Sequence, residues 1–446
     1  MRGLFAVAAA VLLSGASSAL GHVGAQSAGI SATGGSNLFS SIGAETQVSG
    51  QPVWPAAIDF SLLATLPQTL VINFPDRASA TLTRMRSETR NGGAYLWTGN
   101  GGGCTAVLNV TPTNVLGTIS CLTGNYFVRG MGPSLQLTRF VGSSTAVANF
   151  EGPPVAFKAP QYTEPMAVQP SGTQVDTAVD VLVLYSDAVR QYFDPSGGSA
   201  VTRQTAQFAI DNVQMAMTNS TSSHAPFLPY VRLAGVSEVS RTATGNLVAD
   251  QLWLDSDPEP LNLRNFWAAD VMLYLTLDGE SGVFGRSNTP GDGLPVPGPG
   301  FAPSAHSSLV ARCAVMALGT DCSQPFVFLH EFGHLFGANH NPENNDNPTP
   351  LTSYAFANWK AVGSDQPGYG NRTLMSYYVG GVGGCADVIS HCVTVLYYSN
   401  AQVMDGSFLT GTPDARENAR VISASASATA NYRLDISRIF YDGFQY

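Results

Sequence analysis

The sequence predicts a mixed α/β fold, a twisted sheet with helices packed on it, preceded by a small antiparallel β module. Three observations predict it. Past residue 177, apolar strand-like runs alternate with amphipathic helical periodicity. Between residues 82 and 141, short β-type runs are punctuated by glycine turns. The 446 residues are 44% apolar and only 12% charged, with 46 Gly and 27 Pro, a composition that supports a sizeable core but favours strands and loops over long helices.

The first 25 residues carry one basic residue, Arg2, then an apolar stretch over 4–13, then small residues from Ser14 to Ala19. This is the pattern of a secretory signal peptide (1–25), too short in its apolar part to span a bilayer. It predicts a secreted protein, extracellular or periplasmic, with no membrane association after cleavage. The Ser/Gly/Ala-rich stretch from 26 to about 60 reads as a poorly ordered lead-in. The β module follows, with runs at 94–98, 105–110, 115–122 and 126–129 separated by Asn91-Gly92, Gly101-Gly102-Gly103 and Gly124. Residues 26–150 are thus one β-rich region. Five prolines between 151 and 177 mark an exposed linker.

In the second region, 178–435, strands are predicted at 179–185, 229–236, 271–277 and 308–316. Ala206, Ala209, Ile210, Val213, Ala216 and Met217 repeat as one face of a helix. Residues 436–446 form a short tail. The six cysteines fall in local pairs, Cys104 with Cys121, Cys313 with Cys322 and Cys385 with Cys392, which in an exported chain read as disulfides. The net charge is −10, and the only two lysines, Lys158 and Lys360, belong to no basic run, so a nucleic-acid or anionic-membrane partner is disfavoured.

The chemistry concentrates in His330-Glu331-Phe332-Gly333-His334-Leu335-Phe336-Gly337-Ala338-Asn339-His340. Ser323 can cap a helix that tolerates Pro325 in its first turn, with Phe326, Phe328, Leu329, Phe332 and Phe336 burying it. Histidines at i and i+4 of a helix lie one above the other, so His330 and His334 can reach one metal ion. Gly337 can leave the helix with positive φ and turn the chain so that His340 supplies a third nitrogen. Three neutral nitrogen ligands suit a catalytic Zn2+ with an open position, and Glu331 is placed to deprotonate a water without itself being a ligand. The alternative is a secreted binding or adhesion module holding zinc for structure alone. Residues 341–347 are rich in Asn, Asp and Glu but lack the spacing of an EF-hand, so a solvated loop is favoured there over a Ca2+ site.

This extended motif resembles that of the metzincin zinc metallopeptidases. Their methionine turn has a counterpart in Arg372-Thr373-Leu374-Met375-Ser376-Tyr377, with Met375 lying 35 residues past His340. Segments 179–185, 398–400, 417–421 and 430–433 are similar, more narrowly, to reprolysin-like enzymes of the peptidyl-Asp metallopeptidase family; one departure is Asn341, where reprolysins carry Asp. The resemblance implies an α/β (α+β) metzincin catalytic domain over 178–435 and a propeptide over 26–150. It also implies a zymogen of a zinc endopeptidase acting on protein or peptide substrates. His330, His334 and His340 would be the ligands and Glu331 the general base. Met375 would be the floor beneath the metal, and Tyr377 a phenol near it. Arg372 would be the candidate to hold an acidic residue just after the cut.

Overall fold

Strand pairing dominates the computed structural model, which describes residues 36–48, 50–131, 134–140, 178–280, 282–291, 296–314, 326–343, 349–361, 369–377 and 391–433. Eleven strands form the first sheet: β1 (Ser36–Asn37), β2 (Phe39–Ile42), β3 (Thr46–Val48), β4 (Gln51–Ile58), β5 (Thr69–Ile72), β6 (Ala80–Thr89), β7 (Tyr95–Gly101), β8 (Cys104–Val110), β9 (Asn114–Cys121), β10 (Gly124–Met131) and β11 (Ser134–Phe140). Their order is β1-β5-β6-β7-β8-β9-β10-β11-β4-β2, with β3 on β4, and every pairing but β1 with β5 is antiparallel. The two ends of this path, β1 and β2, are separated in sequence by Leu38 alone. Residues 36–42 therefore pair with β5 on one side and β4 on the other, nearly closing the sheet into a barrel.

Period-two alternation sorts the barrel's side chains. Trp97, Leu108, Ile119 and Tyr126 point into the barrel core with Leu38 and Phe39. Their neighbours Leu96, Val107, Leu116 and Phe127 point outward, yet are also buried, because they join the core of the following region. Every residue of β8 and β9 is buried for this reason. A disulfide joins Cys104 to Cys121, directly opposite each other on β8 and β9. Cys313 and Cys392 are also disulfide-bonded. Cys322 and Cys385 lie outside the described residues.

The second sheet contains β12 (Ala178–Ser186), β13 (Tyr230–Val239), β14 (Val271–Thr276), β15 (Gly285–Ser287) and β16 (His306–Val310), in the order β13-β12-β14-β16-β15. Its pairings are parallel except at the edge, where β15 runs antiparallel to β16. Helix α1 (Phe60–Ala64) belongs to the barrel region, and it is followed along the chain by α2 (Asp187–Phe193), α3 (Ala200–Asn219), α4 (Leu247–Ser256), α5 (Pro258–Phe266), α6 (Ala311–Ala314), α7 (Val327–His334) and α8 (Asn418–Thr429). The start of α3 is fixed by Asp194, whose carboxylate accepts from the backbone N–H groups of Val201 and Thr202, both at 2.9 Å. A small third sheet pairs β17 (Trp359–Ala361), β18 (Tyr369–Arg372) and β19 (His391–Thr394).

The predicted fold class is corrected by this architecture. The molecule is mostly sheet, and its largest element is the nearly closed barrel over 36–140, not a small β module ahead of an α/β metzincin domain. The reason is physical. Strands β1 to β4 lie in the stretch whose Ser/Gly/Ala composition suggested a poorly ordered lead-in, and β4 contains Pro52 and Pro55, which cannot donate to a ladder and mask a strand. Closure rests on contacts distant in sequence, such as Leu137 of β11 opposite Trp54 of β4, which no local period reports. The segments 1–25, 151–177 and 436–446, and with them the expected signal peptide, linker and tail, lie outside the described residues. Among the described residues, no helix is long and apolar enough to cross a membrane.

Leu38 is fully buried at the junction of the two sheet ends. Leu38→Ala should destabilise the protein by about 2–5 kcal/mol, the cost of a cavity at such a site. Hydrogen exchange should rise first in β1 and β2. Unchanged stability and protection there would contradict closure through this residue.

Candidate metal centre

All eight residues of helix α7 are buried, His330, Glu331 and His334 among them, so it sits in the core. It enters from Phe326, which adopts a left-handed conformation (φ 68°). Ser323 and Pro325, expected to start it, lie outside the described residues. The helix ends as Gly337 takes φ 87°, a value L side chains rarely adopt, and the chain turns to bring His340 back toward the helix.

The three predicted histidines meet. His334 Nε2 lies 3.1 Å from His330 Nε2 and 3.0 Å from His340 Nε2. The three ligand nitrogens all fall within 4.8 Å of one another, and the three residues are buried. Nitrogens about 2.0–2.1 Å from a tetrahedral ion stand about 3.3 Å apart, so this spacing fits one shared cation. The tautomer fits too. His330 Nδ1 lies 2.9 Å from the carbonyl oxygen of Leu374, which can only accept, so Nδ1 carries the proton and Nε2 offers its lone pair to the cluster. The His330–His334–His340 group could therefore hold a metal ion, and its all-imidazole donor set is consistent with zinc.

Glu331 points toward the edge strand β15. A Cβ on Gly285 would fall 2.2 Å from Glu331 Oε1, so the absence of a side chain there makes room for the carboxylate. Beside it, Ser287 Oγ donates to the Glu331 carbonyl oxygen at 2.7 Å and tethers β15 to α7.

The turn containing Met375 packs under the helix. A Cβ on Gly333 would meet Met375 Sδ at 2.5 Å and Tyr398 Cε1 at 2.9 Å, so a bare backbone lets both reach α7. The Tyr398 hydroxyl donates to the Leu329 carbonyl oxygen at 2.8 Å, and burial pushes its phenol well above the usual range. The Tyr377 ring lies over His340, with centroids 4.1 Å apart. Arg372, expected to face substrate, is 1% exposed, and its guanidinium donates to the carbonyl oxygen of Ser376, across the turn. In this position it braces the turn. Glu343, in the segment weighed as a calcium loop, accepts from Asn341 and pairs with Arg416; residues 344–348 lie outside the described residues.

Several contacts that hold the site together are not readable from the sequence. Asn341 Oδ1 accepts from the backbone N–H of Tyr377 at 3.0 Å and from Ser376 Oγ at 3.3 Å, tying the residue after His340 to the Met375 turn. Asn418, first in α8, exchanges two bonds with the Asn339 backbone, donating to its carbonyl oxygen at 2.9 Å and accepting from its N–H at 3.2 Å. Like Gly285 and Ser287, both act through partners distant in sequence.

No protein-family model matches this sequence. No curated protein matches it. Among solved structures, the chain resembles a protein described as "Structure of a chaperone-substrate complex", with 12% identity, 82% of this chain and 42% of that one covered, and a TM-score of 0.39. It also resembles metalloproteinase-II from Bacteroides fragilis, with 14% identity, 65% of this chain and 87% of that one covered, and a TM-score of 0.38. The chain thus spans less than half the length of the first of these. At such scores neither likeness establishes a shared fold or activity.

The geometry predicts that protein purified without chelator retains about one zinc per chain, read by elemental analysis. His334→Ala, which removes the central nitrogen of the three, should lose it. Full zinc occupancy in that variant would contradict the shared site.

Proposed function

We propose that this chain is a zinc-dependent peptidase that hydrolyses peptide bonds in protein substrates. The observation that carries the reading is the pairing of three convergent imidazoles with a carboxylate, Glu331, that neighbours the first of them and has a cradle of its own at Gly285. A purely structural zinc site has no use for such a carboxylate, which argues against the adhesion-module alternative.

A zinc ion bound there would supply Lewis acidity toward a water and toward the scissile carbonyl. Glu331 would take the proton of the attacking water and return it to the leaving nitrogen. The Leu374 carbonyl oxygen, by accepting from Nδ1, keeps the His330 ring oriented and its other nitrogen basic. Tyr377, lying over His340, is the candidate phenol to donate to the oxygen that gains charge as the carbonyl is attacked. The likeness of the motif and of the Met375 turn to those of metzincin peptidases supports the same chemistry. Export and processing of a precursor are part of the proposal and rest on the composition of 1–25 and 151–177. Preference for an acidic residue after the cut receives no support from Arg372, which is engaged within the turn.

Glu331→Gln should keep its zinc and lose at least about 10²-fold in kcat on a peptide substrate. Gly285→Ala should act in the same direction, because the added methyl would meet Glu331 from Cγ to Oε1 and force its side chain to move. Near-normal turnover in Glu331→Gln would refute the peptidase assignment. Activity resistant to zinc chelation would do so independently.

A further inference from the structure

We propose that the barrel is a permanent partner of the metal-binding region, remaining bound to it as a second subunit after the chain between residues 141 and 177 is cut. The composition of 151–177 suggests a segment open to proteolysis, and a leader that leaves would be expected to touch the rest of the molecule lightly. The barrel does not. The outward face of β7 to β10 contributes Leu96, Val107, Leu116 and Phe127 to the same apolar core as β12, α3 and α7. The Phe127 ring stands edge-on to that of Phe326, the residue from which α7 starts, with centroids 5.9 Å apart.

The polar contacts across this boundary are buried and specific. Asp211 of α3 accepts from both terminal nitrogens of Arg90, at 2.8 and 2.6 Å, and from Asn109 Nδ2 at 2.7 Å. Asn114 Nδ2 donates to Gln204 Oε1 at 2.6 Å. Asp211 has only 3% of its side chain exposed, so separating the two parts would strand a buried carboxylate's partners and expose an apolar face together. A bidentate guanidinium–carboxylate pair flanked by amide bonds and an apolar patch has the anatomy of a stable subunit interface.

The same face also reaches the metal site's support. Asn125 Nδ2 donates to the Thr394 carbonyl oxygen at 3.0 Å. Thr394 ends β19, which runs beside β18, and β18 leads directly into the Met375 turn. The barrel therefore braces the strand pair that positions the carbonyl holding His330.

The test uses the full chain carrying a site-specific protease sequence inserted after Lys158. After complete cleavage, size exclusion and native mass spectrometry should find both fragments together at the mass of the uncut protein, with one cooperative thermal transition. Elution as two separate species would overturn the proposal. In the cut protein, Asp211→Ala should weaken fragment association at least about tenfold, since it removes one partner of a buried charged pair. If Asp211→Ala fails to fold, Asp211→Asn, which keeps an acceptor for Asn109, should weaken association to a smaller degree. Association unchanged by whichever of these substitutions folds would place the interface elsewhere and equally overturn the assignment.

Discussion

Four polar side chains with almost no exposed surface, His330, Glu331, His334 and His340, sit in or just past a fully buried helix. Burying such groups costs several kcal/mol apiece unless their hydrogen-bonding and charge are satisfied. That constraint organises the surroundings. The Leu374 carbonyl oxygen meets His330 Nδ1, His334 Nε2 stands 3.1 and 3.0 Å from the Nε2 atoms of His330 and His340, close to the spacing of two ligands on one ion, and β15 offers a glycine where the carboxylate packs. A bound cation would complete the arrangement, because it converts three lone pairs aimed at one point from repulsion into ligation.

The supporting elements come from widely separated parts of the chain, and each solves a local problem of α7. Tyr398 occupies a carbonyl in the middle of the helix, Ser425 of α8 donates to the Phe336 carbonyl oxygen past its end, and Asn418 holds the loop that returns His340. Asn341 then ties that loop to the Met375 turn. Helix, return loop and turn are thus locked pairwise by buried side-chain-to-backbone bonds, which fix orientation more sharply than apolar packing does. The barrel adds a further layer, since α3 is held between its outer face and the second sheet.

The metal site was legible because its information is local. The four-residue spacing of His330 and His334, the glycine at 337 and the third histidine at 340 fall within eleven consecutive residues. Helical geometry alone brings the first two together. Strands β12 and β14 were legible for a similar reason, as both are short continuous apolar runs that a buried parallel strand requires. The barrel was not. Its strands between 94 and 129 carry clear turn signals, but its closure depends on 36–58, where prolines and small residues hide the pattern and partners lie some eighty positions away. Arg372 shows the limit from another side: its type suggested a carboxylate partner, whereas tertiary packing gives it a backbone carbonyl in its own turn. Gly285 carries no signal at all until the edge strand is seen against Glu331.

The central claim is that these three histidines, with no sulfur and no carboxylate among the protein ligands, form the coordination sphere of a zinc ion. X-ray absorption at the zinc edge of the purified protein reads that sphere directly. The account predicts three imidazole nitrogens at about 2.0–2.1 Å with one further light atom and no sulfur scattering. A shell containing sulfur, or one with fewer than three imidazoles, would contradict it.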